Sequence, residues 1–104
     1  MGKRVLLVDD DKAVLYSIKK VLSQRGFTVY ALDSQEGIHE YLEDSDVLLM
    51  DIRLSEDKSG VDVVYGLRAR GINIPVVFIT AHANFENIIK ASKLGSVEIL
   101  KKPF

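Results

Sequence analysis

Apolar residues in this chain come in short unbroken runs, separated by stretches in which they recur at helical spacing. Val47-Leu48-Leu49-Met50 is one such run and closes on Asp51. It is too short for a buried helix and ends on an acid, which predicts a central strand covered on both faces with Asp51 at its C-terminal end. Val5-Leu6-Leu7-Val8 predicts a second central strand, and it runs into three acids, Asp9, Asp10 and Asp11. From Lys12 to Arg25 the period changes: Val14, Leu15, Ile18, Val21 and Leu22 fall on one helical face. One of the leading aspartates can cap that helix, and Gly26 suits its C-terminal turn. Phe27 to Ala31 is a shorter run typical of an outer strand. Ser34 opens a short second helix through Ile38 and Leu42, weakened by Gly37 inside it.

Beyond Asp51 a polar loop, Arg53 to Ser59, leads to Gly60 and a helix carrying Val61, Val64 and Leu67 on one face, ended by Gly71. Pro75 introduces the strand Val76-Val77-Phe78-Ile79, which stops at Thr80. A fourth helix is predicted over 84–94, with Phe85, Ile88, Ile89 and Leu94 for packing and Gly95 as its stop. Val97 to Leu100 is the last strand, followed by Lys101-Lys102-Pro103-Phe104. Strand and helix thus alternate with short connections. The expected fold is α/β: five parallel strands joined by right-handed crossovers, doubly wound with helices on both faces. Ligands of such sheets bind at strand C-terminal ends, where Asp9, Asp10, Asp51, Thr80 and Lys102 all emerge.

Composition narrows the possibilities. A length of 104 residues with 47% hydrophobic content is expected to form one domain over 1–104 with a single modest core. Fourteen Lys and Arg against 15 Asp and Glu leave no global field to draw the chain to nucleic acid or an anionic membrane. The chain has no cysteine, so disulfides, thiolate metal sites and thiol catalysis are excluded, as suits the cytoplasm. No segment is long enough to span a bilayer, and Val5 to Val8 is too short for a signal-peptide core.

Three carboxylates brought together repel one another unless a cation neutralises them. Oxygen donors without nearby His or Cys select a hard ion, and Mg²⁺ typically takes one or two carboxylates, waters and a phosphate oxygen. With Lys102 added, the formal charge of three acids and one Mg²⁺ sums to zero, a setting in which an incoming phosphoryl group is stabilised. Thr80 contributes a hydroxyl donor. Taken singly, each of these aspartates reads as a cap or turn residue, Thr80 as a turn hydroxyl and Lys102 as a solvated charge. Their joint placement, each at a strand end, is what argues for a site.

The segments VLLVDDDKAV, DVLLMDIRL, PVVFITAHAN and KLGSVEILKKPF together resemble the response-regulator receiver domains of two-component signalling, from Val5 to Phe104. That resemblance implies a flavodoxin-like fold with strand order 2-1-3-4-5, and a phosphoacceptor domain rather than a turnover enzyme. It implies Asp51 as the residue taking a phosphoryl group from a histidine kinase or histidine phosphotransfer protein. Asp10 and Asp51 would bind Mg²⁺ directly, Asp9 largely through water, and the backbone carbonyl of Arg53 would complete the protein ligands. Thr80 would move toward the acyl phosphate and Lys102 would pair with it, ahead of a cis Lys102–Pro103 bond. The expected consequence is a population shift at the face built from the fourth helix and fifth strand, read by a fused or separate output domain. The TAHANF segment with KLGSVEILKKPF resembles receivers attached to transcription activators.

The chain departs from that pattern in three places. Ile99 stands where many relatives carry an aromatic switch residue. Ser55 stands where proline is usual, and the loop through Asp57-Lys58-Ser59-Gly60 is one residue longer. The family also has a fifth helix after the Lys-Pro-Phe sequence, and the 104 residues end there; the expectation is an excerpt of a longer chain, with a homodimer covering the exposed apolar strip as the alternative.

Three other functions are compatible with parts of the pattern. A phosphorylation-independent pseudo-receiver keeps the fold and only binds partners. A Mg²⁺-dependent aspartyl-phosphate phosphatase would want an acid two residues after its nucleophile, where this chain has Arg53. A dinucleotide site needs a glycine-rich turn after the first strand, where this chain has acids. His39 and His82 read as surface and loop histidines, and Lys90, Lys93 and Lys101 as a solvated face.

Overall fold

In chain order the elements are β1 (Arg4–Val8), α1 (Lys12–Gln24), β2 (Thr28–Leu32), α2 (Ile38–Leu42), β3 (Val47–Asp51), α3 (Gly60–Ala69), β4 (Val76–Thr80) and β5 (Val97–Lys101). This computed structural model describes residues 3–52, 59–80 and 97–101; residues 80, 97 and 99–101 are described through their backbone. Every neighbouring pair of strands is parallel, as the alternation of strand and helix predicts, and the order β2-β1-β3-β4-β5 is the one the family resemblance implies. The two runs read as central strands lie side by side, with Val5 opposite Val47 and Val8 opposite Met50. The predicted helix over 84–94, the loop at 53–58, His82, Lys90, Lys93 and the Lys102-Pro103-Phe104 terminus lie outside the described residues.

Strand side chains alternate between two faces, and each face has its own core. Leu6, Val8, Leu48, Met50, Val76 and Phe78 pack on one face against Ile38 and Leu42 of α2 and Val61, Val64 and Leu67 of α3. On the other face Val5, Leu7, Val29 and Ile79 meet Leu15 of α1, with Ile18 and Leu22 at the margin. Phe78 has no exposed surface, and burying a side chain of that size contributes about 1.5–3 kcal/mol. Val47, Leu49 and Val77, on the α1 side, are only half-buried. Val21, which shares the helical face read from the sequence, is 49% exposed.

The second helix differs from its expected extent. It runs from Ile38 to Leu42, and Gly37 precedes it as a left-handed N-terminal residue with φ of 80°. The Ser34 hydroxyl instead accepts a hydrogen bond from the Glu36 amide in a turn. A backbone that must swing through positive φ explains the glycine, which periodicity alone placed inside the helix. His39, on this helix, is exposed as expected and lies 3.3 Å from the Arg70 guanidinium through Nε2. Arg68, in the last turn of α3, donates to the carbonyl of Ile72 beyond the helix at 2.9 Å. Its partial burial lowers the guanidinium pKa from the ordinary value.

Candidate functional site

The register that sets Val8 opposite Met50 brings the residues that follow, Asp9 and Asp51, out of neighbouring strands at the same rim. With the order β2-β1-β3 the connections leave these two strands in opposite directions, so the rim between them is the switch point where such sheets hold ligands. Carboxylate oxygens of Asp9, Asp10 and Asp51 all lie within 4.8 Å of one another. Asp9 is fully buried and Asp51 is 9% exposed, whereas Asp10 faces solvent.

Local hydrogen bonds divide the three consecutive acids among different tasks. The Asp9 amide donates to the carbonyl of Leu32 at 3.1 Å, tying the turn to the adjacent strand. Asp9 Oδ1 in turn accepts the amide of Asp11 at 2.9 Å. Asp11 is the residue that caps α1, through Oδ1 to the amides of Ala13 at 2.9 Å and Val14 at 3.3 Å. The sequence left the identity of the cap open among the aspartates; the structure assigns it to Asp11, which stands outside the cluster of three.

At the end of β3 the chain is held from two sides. The Ile52 amide donates to the carbonyl of Ile79 at 3.0 Å, and the Gly60 amide donates to the carbonyl of Ile52. Ser59 caps α3, its hydroxyl accepting the Val61 amide at 3.1 Å. From spacing alone Gly60 is only the start of a helix. The structure adds that a Cβ there would overlap the carbonyl oxygen of Asp51, a contact that no local spacing rule reveals.

The remaining expected residues are reached only in part. Asp51 pairs in register with Ile79, so the backbone of Thr80 leaves β4 one residue beyond that partner. Thr80 is itself opposite Lys101 of β5. The side chains of Thr80 and Ile99, and all of Arg53 and Lys102, lie outside the described residues.

The donor set of the cluster is all carboxylate oxygen, which suits a hard divalent cation. Opposite ligands of an octahedral Mg²⁺ stand about 4.2 Å apart, from bonds of about 2.1 Å, so oxygens gathered within 4.8 Å fit an ion bound by some acids directly and by another through water. Asp51, nearly buried at this rim, presents a carboxylate oxygen of the kind that can act as a nucleophile toward phosphorus.

The sequence and the fold both match known proteins. Residues 5–104 match the family described as the response regulator receiver domain. The chain is 35% identical over 103 residues to the cell cycle transcriptional regulator CtrA of Caulobacter vibrioides, covering 97% of this chain and 44% of that protein. It therefore spans less than half the length of the curated relatives it matches. A receiver domain protein from Clostridium thermocellum superposes with a TM-score of 0.85 at 29% identity, covering 98% of this chain and 83% of that one. A CheY-like receiver domain protein from Methanospirillum hungatei gives a TM-score of 0.87 at 26% identity, covering 100% of this chain and 84% of the other. Among the described residues no helix is long and apolar enough to cross a membrane.

Proposed function

The chain belongs to the response regulator receiver domain family of two-component signalling, and from that premise we propose that Asp51 is its phosphoacceptor. The observation that carries this reading is the gathering of Asp9, Asp10 and Asp51 within 4.8 Å at the rim between the two central strands. In the proposed reaction a carboxylate oxygen of Asp51 attacks phosphorus in line while the bond to the donor's imidazole nitrogen breaks. The products are an aspartyl phosphate and a free histidine on a kinase or phosphotransfer protein. No base is needed, because the carboxylate is already the nucleophile.

Asp10 and Asp51 would hold Mg²⁺ directly, Asp9 through water, and the carbonyl of Arg53 would add a ligand. When bound, that ion supplies positive charge to the phosphoryl oxygens and offsets the repulsion of the three acids. Asp9, buried and held by the Asp11 amide, would supply negative charge to the ion from a fixed position. Thr80 is proposed to donate its hydroxyl to a phosphoryl oxygen and Lys102 to pair with the new charge. The charge added at Asp51 then shifts the population of the surrounding face.

The setting we propose is cytoplasmic, with a histidine kinase or phosphotransfer protein as donor. CtrA is named a transcriptional regulator; by analogy the output read from this domain is control of transcription, through a fused or separate output domain. The test is incubation with Mg²⁺ and a small phosphodonor, followed by intact mass measurement. A labile single phosphoryl adduct is expected, absent in Asp51→Asn and absent without the metal. A wild-type chain that takes no phosphoryl group under these conditions would favour the pseudo-receiver, and sustained phosphate release from unrelated monoesters would favour the phosphatase.

A further inference from the structure

We propose that Gly60 is a positioning residue for Asp51: its lack of a side chain lets the first turn of α3 lie against the Asp51 peptide and so sets where that carboxylate stands relative to Asp9 and Asp10. The inference rests on the phosphoacceptor reading of Asp51 and adds to it a residue at the far side of the polar loop.

The contact is specific to backbone. A Cβ built on Gly60 would overlap the Asp51 carbonyl oxygen, and it would lie 3.2 Å from the Asp51 carbonyl carbon and 3.1 Å from Met50 Cγ. Overlap with the end of a flexible side chain is relieved by a rotamer change, but a carbonyl in a central strand has no such freedom. Neither partner is free to retreat. Val61, Val64 and Leu67 anchor α3 in the core. Strand β3 is laddered on both sides, with Met50 opposite Val8 and Asp51 opposite Ile79. The Gly60 amide further ties the two through the Ile52 carbonyl. A methyl group at position 60 must therefore turn the Asp51 peptide plane, and the carboxylate it carries moves with it. A cluster whose oxygens have to share one ion is sensitive to such a shift.

The same helix supplies its own control. Gly66, six residues on, has nothing within 4 Å of the position a Cβ would take. Gly66→Ala makes the same chemical change without touching the site. Val61→Ala loosens the same first turn by removing buried carbon, and leaves the Asp51 carbonyl alone.

The experiment compares wild type, Gly60→Ala, Gly66→Ala and Val61→Ala by three readouts: urea unfolding, Mn²⁺ affinity by calorimetry, and backbone amide shifts of the metal-free protein. The proposal expects Gly60→Ala to fold, to move the amide signals of Asp51 and Ile52, and to lose Mn²⁺ affinity by about 10- to 100-fold, the usual effect of disturbing a support behind metal ligands. Val61→Ala is expected to be less stable with wild-type affinity, and Gly66→Ala to bind as wild type. Wild-type affinity with unmoved Asp51 and Ile52 signals in Gly60→Ala would overturn the proposal. So would a Gly60→Ala chain that stays unfolded even in a stabilising osmolyte, since Gly60 would then be a packing residue only. If wild type itself takes up no Mn²⁺, the metal reading of the cluster fails, and the amide shifts alone decide the role of Gly60.

Discussion

Asp9 Oδ1 accepts a hydrogen bond from the backbone amide of Asp11 at 2.9 Å, so the most deeply buried acid of the site is held by the turn that starts the first helix. The carboxylate of Asp11 then points the other way, onto the amides of Ala13 and Val14. Three adjacent and chemically identical residues thus take a buried position, an exposed one and that of a helix cap.

That division has a direct consequence for Asp11→Ala. Losing the cap is expected to cost about 1 kcal/mol of stability, read from urea unfolding, while Mn²⁺ affinity stays at the wild-type value. A loss of affinity matching that of an Asp10 variant would place Asp11 among the ligands instead.

Asp10→Asn should show the opposite behaviour. It removes one of three clustered charges from an exposed position, so the metal-free protein is expected to become more stable. Wild type should gain about 2.7 kcal/mol from Mg²⁺ at 100 times its dissociation constant. Asp10→Asn, titrated over the same concentrations, should gain much less. Equal stabilisation of both proteins by Mg²⁺ would contradict direct binding by Asp10.

Gly37 holds φ at 80° with open space around the position of a Cβ. Gly37→Ala is therefore expected to destabilise through backbone strain alone, by about 1–2 kcal/mol. Gly66→Ala, at an ordinary helical position, is expected to stabilise by up to about 1 kcal/mol. Thermal unfolding of the two variants side by side checks both signs.

Phe78 is completely buried in the core shared with α2 and α3. Phe78→Ala should cost about 3–5 kcal/mol, seen as a large drop in the urea midpoint. A loss below about 1 kcal/mol would mean that this face of the sheet is not packed as described.

Much of the architecture is legible in the order of residues because it depends on local period and on charge at the ends of apolar runs. Val47–Asp51 is the strand read from the sequence, and Lys12–Gln24 differs from its expected extent by one residue. Strand β2 is shifted by one, from an expected 27–31 to Thr28–Leu32, because an edge strand is set by pairing to its single neighbour rather than by its own pattern. The juxtaposition of Asp9, Asp10 and Asp51 follows from parallel register once the strands are adjacent. What spacing could not show is tertiary: which aspartate caps α1, why residue 37 must be glycine, and how closely the start of α3 approaches the Asp51 carbonyl. Each depends on where a distant backbone lies, and no window of a few residues contains that information.

The destination of the phosphoryl group decides the role of Asp51. Wild-type protein treated with Mg²⁺ and a small phosphodonor, then reduced with borohydride, should yield homoserine in place of aspartate at position 51 in the peptide map and at no other acid. Homoserine at Asp9 or Asp10, or an acid-stable phosphate on a hydroxyl residue with Asp51 unmodified, would contradict it.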